Sequence, residues 1–143
     1  MKRVYSVRHG QRADFFPAGM RPPIEYAYDS HLTELGHTQG KSMADYFVEH
    51  LIPPGETVRV VSSPYRRAIE TASHLATNCG VPVHIHEDFG ELLHTRDYSE
   101  NVYPKLTIRL NDLAELEKEW GATLLINEEP KFYPDFPEVE PQC

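Results

Sequence analysis

The sequence predicts an α/β domain with a mainly parallel sheet flanked by helices. Short β-branched runs alternate with longer stretches whose apolar residues recur at helical spacing, and prolines and glycines mark the joins. Size and composition agree: 143 residues, 40% hydrophobic and 25% charged, suit one globular domain able to bury roughly 70% of its unfolded surface.

Residues 3–7 form the first strand candidate and run into Arg8, His9 and Gly10. Residues 15–31 hold three prolines and a glycine among Phe15, Phe16, Tyr26 and Tyr28, which forbids a long helix and predicts an aromatic loop. A helix is expected over residues 34–51, with Thr33 as N-cap, Met43, Phe47 and Leu51 as its buried stripe, and Pro53-Pro54-Gly55 ending it. Residues 57–62 read as a buried strand. Ser63 is placed to cap the next helix and Pro64 to occupy its first position. That helix runs through Ile69, Ala72 and Leu75 to about Asn78, and Gly80 is its expected left-handed stop. Residues 81–86 form a third short strand, and residues 104–120 a third helix carrying Ile108, Leu110, Leu113 and Leu116, which Trp120 closes onto the sheet. Residues 122–126 are a further strand candidate. The domain is expected over residues 1–127, and residues 128–143, with four prolines and five acids, form an irregular tail with little to bury.

Composition bounds the function. Net charge is −8, which argues against nucleic acid as the main partner. The charge is uneven. Residues 1–75 hold nine basic and eight acidic residues, whereas residues 76–143 hold five and fourteen. The first half keeps its arginines as an anion site requires, although uneven surface charge alone gives the same pattern. No apolar run approaches the ~20 residues of a membrane span. The opening residues lack a secretory core, and Cys79 and Cys143 are too few for a disulfide framework. A reducing, cytoplasmic setting is expected.

Strand ends are where ligands bind in open α/β sheets. The first strand candidate ends in Arg8-His9-Gly10: a neutral imidazole nitrogen is a nucleophile, a guanidinium offers paired donors to phosphate oxygens, and glycine lets backbone approach closely. The second ends in Ser62-Ser63-Pro64-Tyr65-Arg66-Arg67, which puts two arginines in the first turn of a helix. Cations are unfavourable there, so something negative compensates; the plainer reading is a surface arginine pair screened by Glu70.

Val7-Arg8-His9-Gly10, the stretch from Leu32 to Gln39, and Val61 to Arg67 continuing through Thr71-Ala72 resemble, in order and spacing, the motifs of the histidine phosphatase superfamily, the phosphoglycerate-mutase-like enzymes. The run from Arg8 to Asp14, Arg-His-Gly-Gln-Arg-Ala-Asp, looks like the R-H-G-E-R-x-D of the suppressors of T-cell receptor signalling and of ecdysteroid-phosphate phosphatase. The resemblance implies a three-layer fold and a metal-independent, cofactor-free phosphatase acting on phosphate monoesters, phosphotyrosine or small-molecule phosphates among them. It implies His9 as the nucleophile that forms phosphohistidine and Glu91 as the acid that protonates the leaving oxygen and then activates water. Arg8, Arg67 and Arg12 would hold the phosphoryl oxygens, with Arg66 left without a role.

The resemblance also implies a second histidine on a later strand lying between the first two. The last histidine is His94, and residues 95–143 contain none. The expectation is a C-terminally short version of the family pattern, with a catalytically inactive phosphate-binding module as the alternative. Residues 122–126 are a candidate to fill the strand gap, but Asn127-Glu128-Glu129 after them offer no imidazole. His84 and His86 share one face of a strand as metal ligands sometimes do; a solvated face with Val83 and Ile85 turned inward competes. The loop aromatics line a lid or pack locally, and nothing in the sequence sets the oligomeric state.

Overall fold

The computed structural model describes residues 3–17, 19–24, 26, 28–91, 100–102, 104–106 and 113–126. Three parallel strands, β1 (Val60–Ser62), β2 (Val83–Ile85) and β3 (Leu124–Ile126), form a sheet in the order β1-β2-β3. Val60 pairs with Val83, and Val83 with Leu124. Helices α1 (Glu34–Tyr46), α2 (Arg66–Cys79) and α3 (Leu113–Trp120) alternate with the strands, the α/β arrangement that the sequence predicts.

One apolar cluster holds these pieces together. Val83 and Ile85 are fully buried and alternate with half-buried His84, so the inward face of β2 is the apolar one. They meet Val60, Ile69, Leu75, Ala76, Leu116 and Leu124, with Trp120 packed at the margin. Each such side chain contributes about 1.5–3 kcal/mol when buried. Three-residue strands have few ladder bonds, so this cluster rather than the ladder fixes the sheet. A second cluster of Tyr65, Val102 and Leu106 takes Tyr28, which pins the aromatic loop to the segment before α3.

Helix α1 begins where the sequence places it: the Thr33 hydroxyl accepts from Gly36 N at 3.0 Å. The helix passes into a π turn over Phe47–Leu51 before the prolines. Its fully buried stripe is Gly36, Gly40 and Ala44, with Met43 and Phe47 flanking it, in place of the expected Met43, Phe47 and Leu51. The reason is close packing on two sides, Gly40 against His74 of α2 and Gly36 against the backbone of Gln11, where a Cβ has no room. Helix α2 ends at Gly80 with φ 65°, as expected.

Three expectations need correction. Residues 3–7 form no strand: Val4 is 94% exposed, and the segment is held by the Arg3–Glu56 ion pair at 2.7 Å and by Tyr5 set edge-on to Phe47 at 5.3 Å. A strand exists through its backbone partner, and among the described residues β1 pairs with β2 alone. Residues 122–126 do not fill the gap beside β1; β3 joins the sheet on the far side of β2. Ser63 does not cap α2. The N-cap is Tyr65, and the Asp29 carboxylate reaches in from the aromatic loop to accept from Arg66 N at 2.7 Å. Of the expected third helix, residues 104–106 are helical and α3 covers Leu113–Trp120, while Ile108 and Leu110 lie outside the described residues. The tail after residue 126 lies outside them as well.

Candidate active site

The stretch from His9 to Ala13 is a loop with unusually complete backbone support. Thr33 N donates to Gln11 O at 3.0 Å, Ala13 N to His31 O at 3.0 Å, and Gln11 N to Gln39 Oε1 at 2.8 Å. The Thr33 hydroxyl also donates to Gln11 Oε1 at 2.8 Å. Gly10 has a steric reason to be glycine: a Cβ there would lie 2.4 Å from Gly36 O. The constraint is reciprocal, since a Cβ on Gly36 would lie 2.4 Å from Gln11 O. Residues 32–39 therefore form the seat of the loop.

His9 is half-buried, and its Nδ1 lies 2.7 Å from Gly10 O. A carbonyl only accepts, so Nδ1 carries the hydrogen and Nε2 keeps its lone pair. Burial lowers the imidazole below its ordinary pKa of 6.5, and the charges of Arg67, Arg12 and Arg8 push the same way against the Gly10 carbonyl. The ring is neutral at neutral pH.

Arg67 is 2% exposed and lies 4.3 Å over the Tyr65 ring. Its Nη2 donates to Glu91 Oε1, and its buried Nη1 has no hydrogen-bond partner among the described residues. A buried donor of a charged group left in this way costs on the order of 1–3 kcal/mol or more. Glu91 itself is half-exposed. Arg8 is exposed and forms no ion pair among the described residues. Arg12 gives Nε to Asp14 Oδ1 at 2.8 Å and Nη2 to Asp14 Oδ2, and its guanidinium lies 4.9 Å from the Phe15 ring centroid. The structure thus brings Arg8, His9, Arg12, Arg67 and Glu91 to one place, with most of the Arg12 fork turned to Asp14.

Arg66 is used elsewhere. Its Nε donates to buried Glu70 at 2.7 Å, its Nη2 to Glu119 on α3, and it lies 5.9 Å from the Trp120 ring. Glu70 also accepts from Leu32 N at 2.7 Å. The negative groups expected near the two arginines are Asp29, Glu70 and Glu119 around Arg66, and Glu91 at Arg67. The expected anion seat at the start of α2 is partly filled by Asp29.

Residues 4–122 match the family profile of the histidine phosphatase superfamily (branch 1). The chain belongs to this superfamily. It is also 31% identical over 90 residues to the transcription factor tau 55 kDa subunit of Saccharomyces cerevisiae, across 62% of this chain and 20% of that protein. The chain thus spans about a fifth of the length of this relative.

As a histidine phosphatase superfamily domain the chain has a phosphatase-like fold, and its motif stretches meet at Gly10, which lies against Gly36 and donates to Thr71. Sequence reasoning named Glu70 as the screen for the arginine pair, and Glu70 does bind Arg66, but it missed Asp29 and Gln39, which help hold the site's walls together. Their signal was slight: a buried acid looks like a surface acid until its partner is known. Among the described residues no group of three or more His, Cys, Asp or Glu is arranged to hold a metal ion, His84 and His86 included. No helix among them is long and apolar enough to cross a membrane.

Proposed function

We propose that this domain hydrolyses phosphate monoesters through a phosphohistidine at His9, without metal or cofactor. The observation that carries the reading is Arg67: a buried guanidinium with one nitrogen on Glu91 and the other unpartnered, beside a neutral imidazole. A phosphoryl oxygen on Nη1 leaves Glu91 on Nη2, so one fork holds substrate and acid together. In the first step His9 Nε2 forms a bond to phosphorus, the ester P–O bond breaks, and Glu91, entering the step in its acid form with a proton from solvent, gives that proton to the leaving oxygen. In the second, Glu91 takes a proton from water, the resulting oxygen nucleophile bonds to phosphorus, and the Nε2–P bond breaks to release phosphate. Arg67, Arg8 and Arg12 stabilise the charge spreading over the oxygens.

The run from Arg8 to Asp14 supports a place beside the suppressors of T-cell receptor signalling and ecdysteroid-phosphate phosphatase, hence phosphotyrosine or a small phosphate ester as substrate. The free Cys79 supports a cytoplasmic setting. The catalytic unit is residues 1–127, with residues 128–143 as an appended tail.

Incubation with p-nitrophenyl phosphate tests this: steady release with an acid-labile phosphoryl group on His9 is expected, and neither should occur in His9→Ala. A specific observation favours a second reading, phosphate binding without turnover. Residues 95–143 supply no further histidine to face the phosphoryl group, and the yeast relative is named as a transcription factor subunit. That reading predicts no release and no adduct while inorganic phosphate still raises the melting temperature.

A further inference from the structure

We infer that Thr71 is a positioning residue that sets the His9 ring and Arg67 against each other. The inference rests on the reading of His9 as nucleophile and adds a residue to it. Thr71 is buried on α2, one turn after Arg67. Its hydroxyl accepts from Gly10 N at 3.1 Å and donates to Arg67 O at 2.8 Å. Gly10 in turn accepts the His9 Nδ1 hydrogen on its carbonyl at 2.7 Å. A chain of contacts therefore runs from the imidazole through the two peptides that meet at Gly10 and the Thr71 hydroxyl to the backbone of the residue that carries the guanidinium.

Each link has a defined polarity. A hydroxyl has one hydrogen, and Arg67 O takes it, so only its lone pairs face Gly10 N–H. That holds the His9–Gly10 peptide with its N–H toward α2, while the next peptide turns Gly10 O to His9 Nδ1 and its own N–H, that of Gln11, to Gln39 Oε1 at 2.8 Å. The two peptides meet at Gly10 Cα, so Thr71 anchors the residue whose carbonyl fixes the tautomer, and the tautomer leaves Nε2 unprotonated. Residues 3–8 before His9 are exposed and contribute no such constraint, whereas Gly10 is buried. A hydroxyl in the interior of a helix is commonly satisfied by the carbonyl four residues back; what marks Thr71 is that it also accepts from another element.

Thr71→Val keeps the shape and removes both bonds; Thr71→Ser keeps the hydroxyl. We expect Thr71→Val to shift the His9 imidazole nitrogen resonances toward a mixture of tautomers and to weaken inorganic phosphate binding about tenfold, with parent behaviour restored in Thr71→Ser. A folded Thr71→Val with parent His9 resonances overturns the inference, as does a Thr71→Ser that behaves like it. Should Thr71→Val fail to fold, the unmodified protein still decides: Gly10 N–H is expected to resist hydrogen exchange, and rapid exchange there overturns the inference. If the parent binds no phosphate, the phosphatase reading fails, while the resonances still report on Thr71.

Discussion

Arg66 and Arg67 are adjacent in the first turn of α2 and have opposite uses: Arg66 binds Glu70 and Glu119, while Arg67 stacks on Tyr65 and reaches Glu91. Arg67→Ala is expected to lower turnover about a hundredfold or more, the ~3–4 kcal/mol typical of losing one charge-stabilising donor. Its melting temperature should change little. Losing the contact with Tyr65 costs about 0.5–2 kcal/mol, and removing an unpartnered buried donor returns about 1–3 kcal/mol.

Arg66→Ala should do the reverse. It strands Glu70, which is 3% exposed, with Leu32 N still donating to it. Removing one partner of a buried pair costs ~3–5 kcal/mol. Arg66 is a quarter exposed, so about 2–4 kcal/mol is expected, read as a fall of roughly 5–12 °C in thermal unfolding. If the melting loss belonged to Arg67→Ala and the turnover loss to Arg66→Ala, the two assignments would be reversed.

The pH dependence follows from two imidazoles. Burial lowers His9 below 6.5, and Arg67, Arg12 and Arg8 add to this; burial, His37 and Lys41 lower His74 likewise. Between each folded value and 6.5 the unfolded chain takes the proton and the folded chain does not. Their contribution to stability is thus complete above 6.5 and is lost as the pH falls through the folded values. Thermal unfolding measured from neutral to mildly acid pH should fall in midpoint, and less steeply in His74→Gln. The acid limb of turnover should lie below 6.5, because Nε2 must be unprotonated to attack. Asp14 acts in a lower window: burial raises it, the Arg12 contact outweighs burial, and its contribution is lost only as pH falls below 3.8.

Periodicity and punctuation carried the parts of the fold that depend on local rules. Thr33 as a cap, Gly80 as a left-handed stop and Val83 and Ile85 facing inward need only neighbours in sequence. Residues 3–7 look like a strand by composition, but pairing is non-local, and among the described residues β1 takes its partner from β2 alone. Asp29 as the cap of α2 stands 37 residues from Arg66 N, so no spacing rule reveals it. The three motif stretches made the site legible because each ends on one wall of it. The split between Arg66 and Arg67 was not legible, since it depends on where Glu119 of α3 and Glu91 come to lie.

Asp29 ties the aromatic loop to the start of α2, so its loss should show in both. Asp29→Ala removes the acceptor of Arg66 N and is expected to cost about 1–2 kcal/mol, in the range for a lost N-cap. Asp29→Asn keeps a side-chain oxygen and should cost less than half as much. Denaturant unfolding of the two variants checks the difference; equal losses would assign the effect to charge rather than to the hydrogen bond.

The contact between α1 and α2 makes the last prediction. A Cβ at Gly40 would lie 2.5 Å from Cδ2 of His74, whose Nε2 is 3.2 Å from His37 Nδ1. Gly40→Ala gains roughly 1 kcal/mol of helix propensity, but overpacking costs about 1–3 kcal/mol and turns the His74 ring off His37. The single variant should therefore be destabilised. Because the obstruction is a side chain, Gly40→Ala placed on His74→Ala should be neutral or stabilising by about 0.5–1 kcal/mol. Gly36→Ala meets backbone instead, Gln11 O at 2.4 Å, so no side-chain removal rescues it. It should also displace the His9 loop, and phosphate binding should fall with stability. Denaturant unfolding of the three single variants and the two doubles checks this: rescue of Gly36→Ala by His74→Ala, or none for Gly40→Ala, would contradict the packing described.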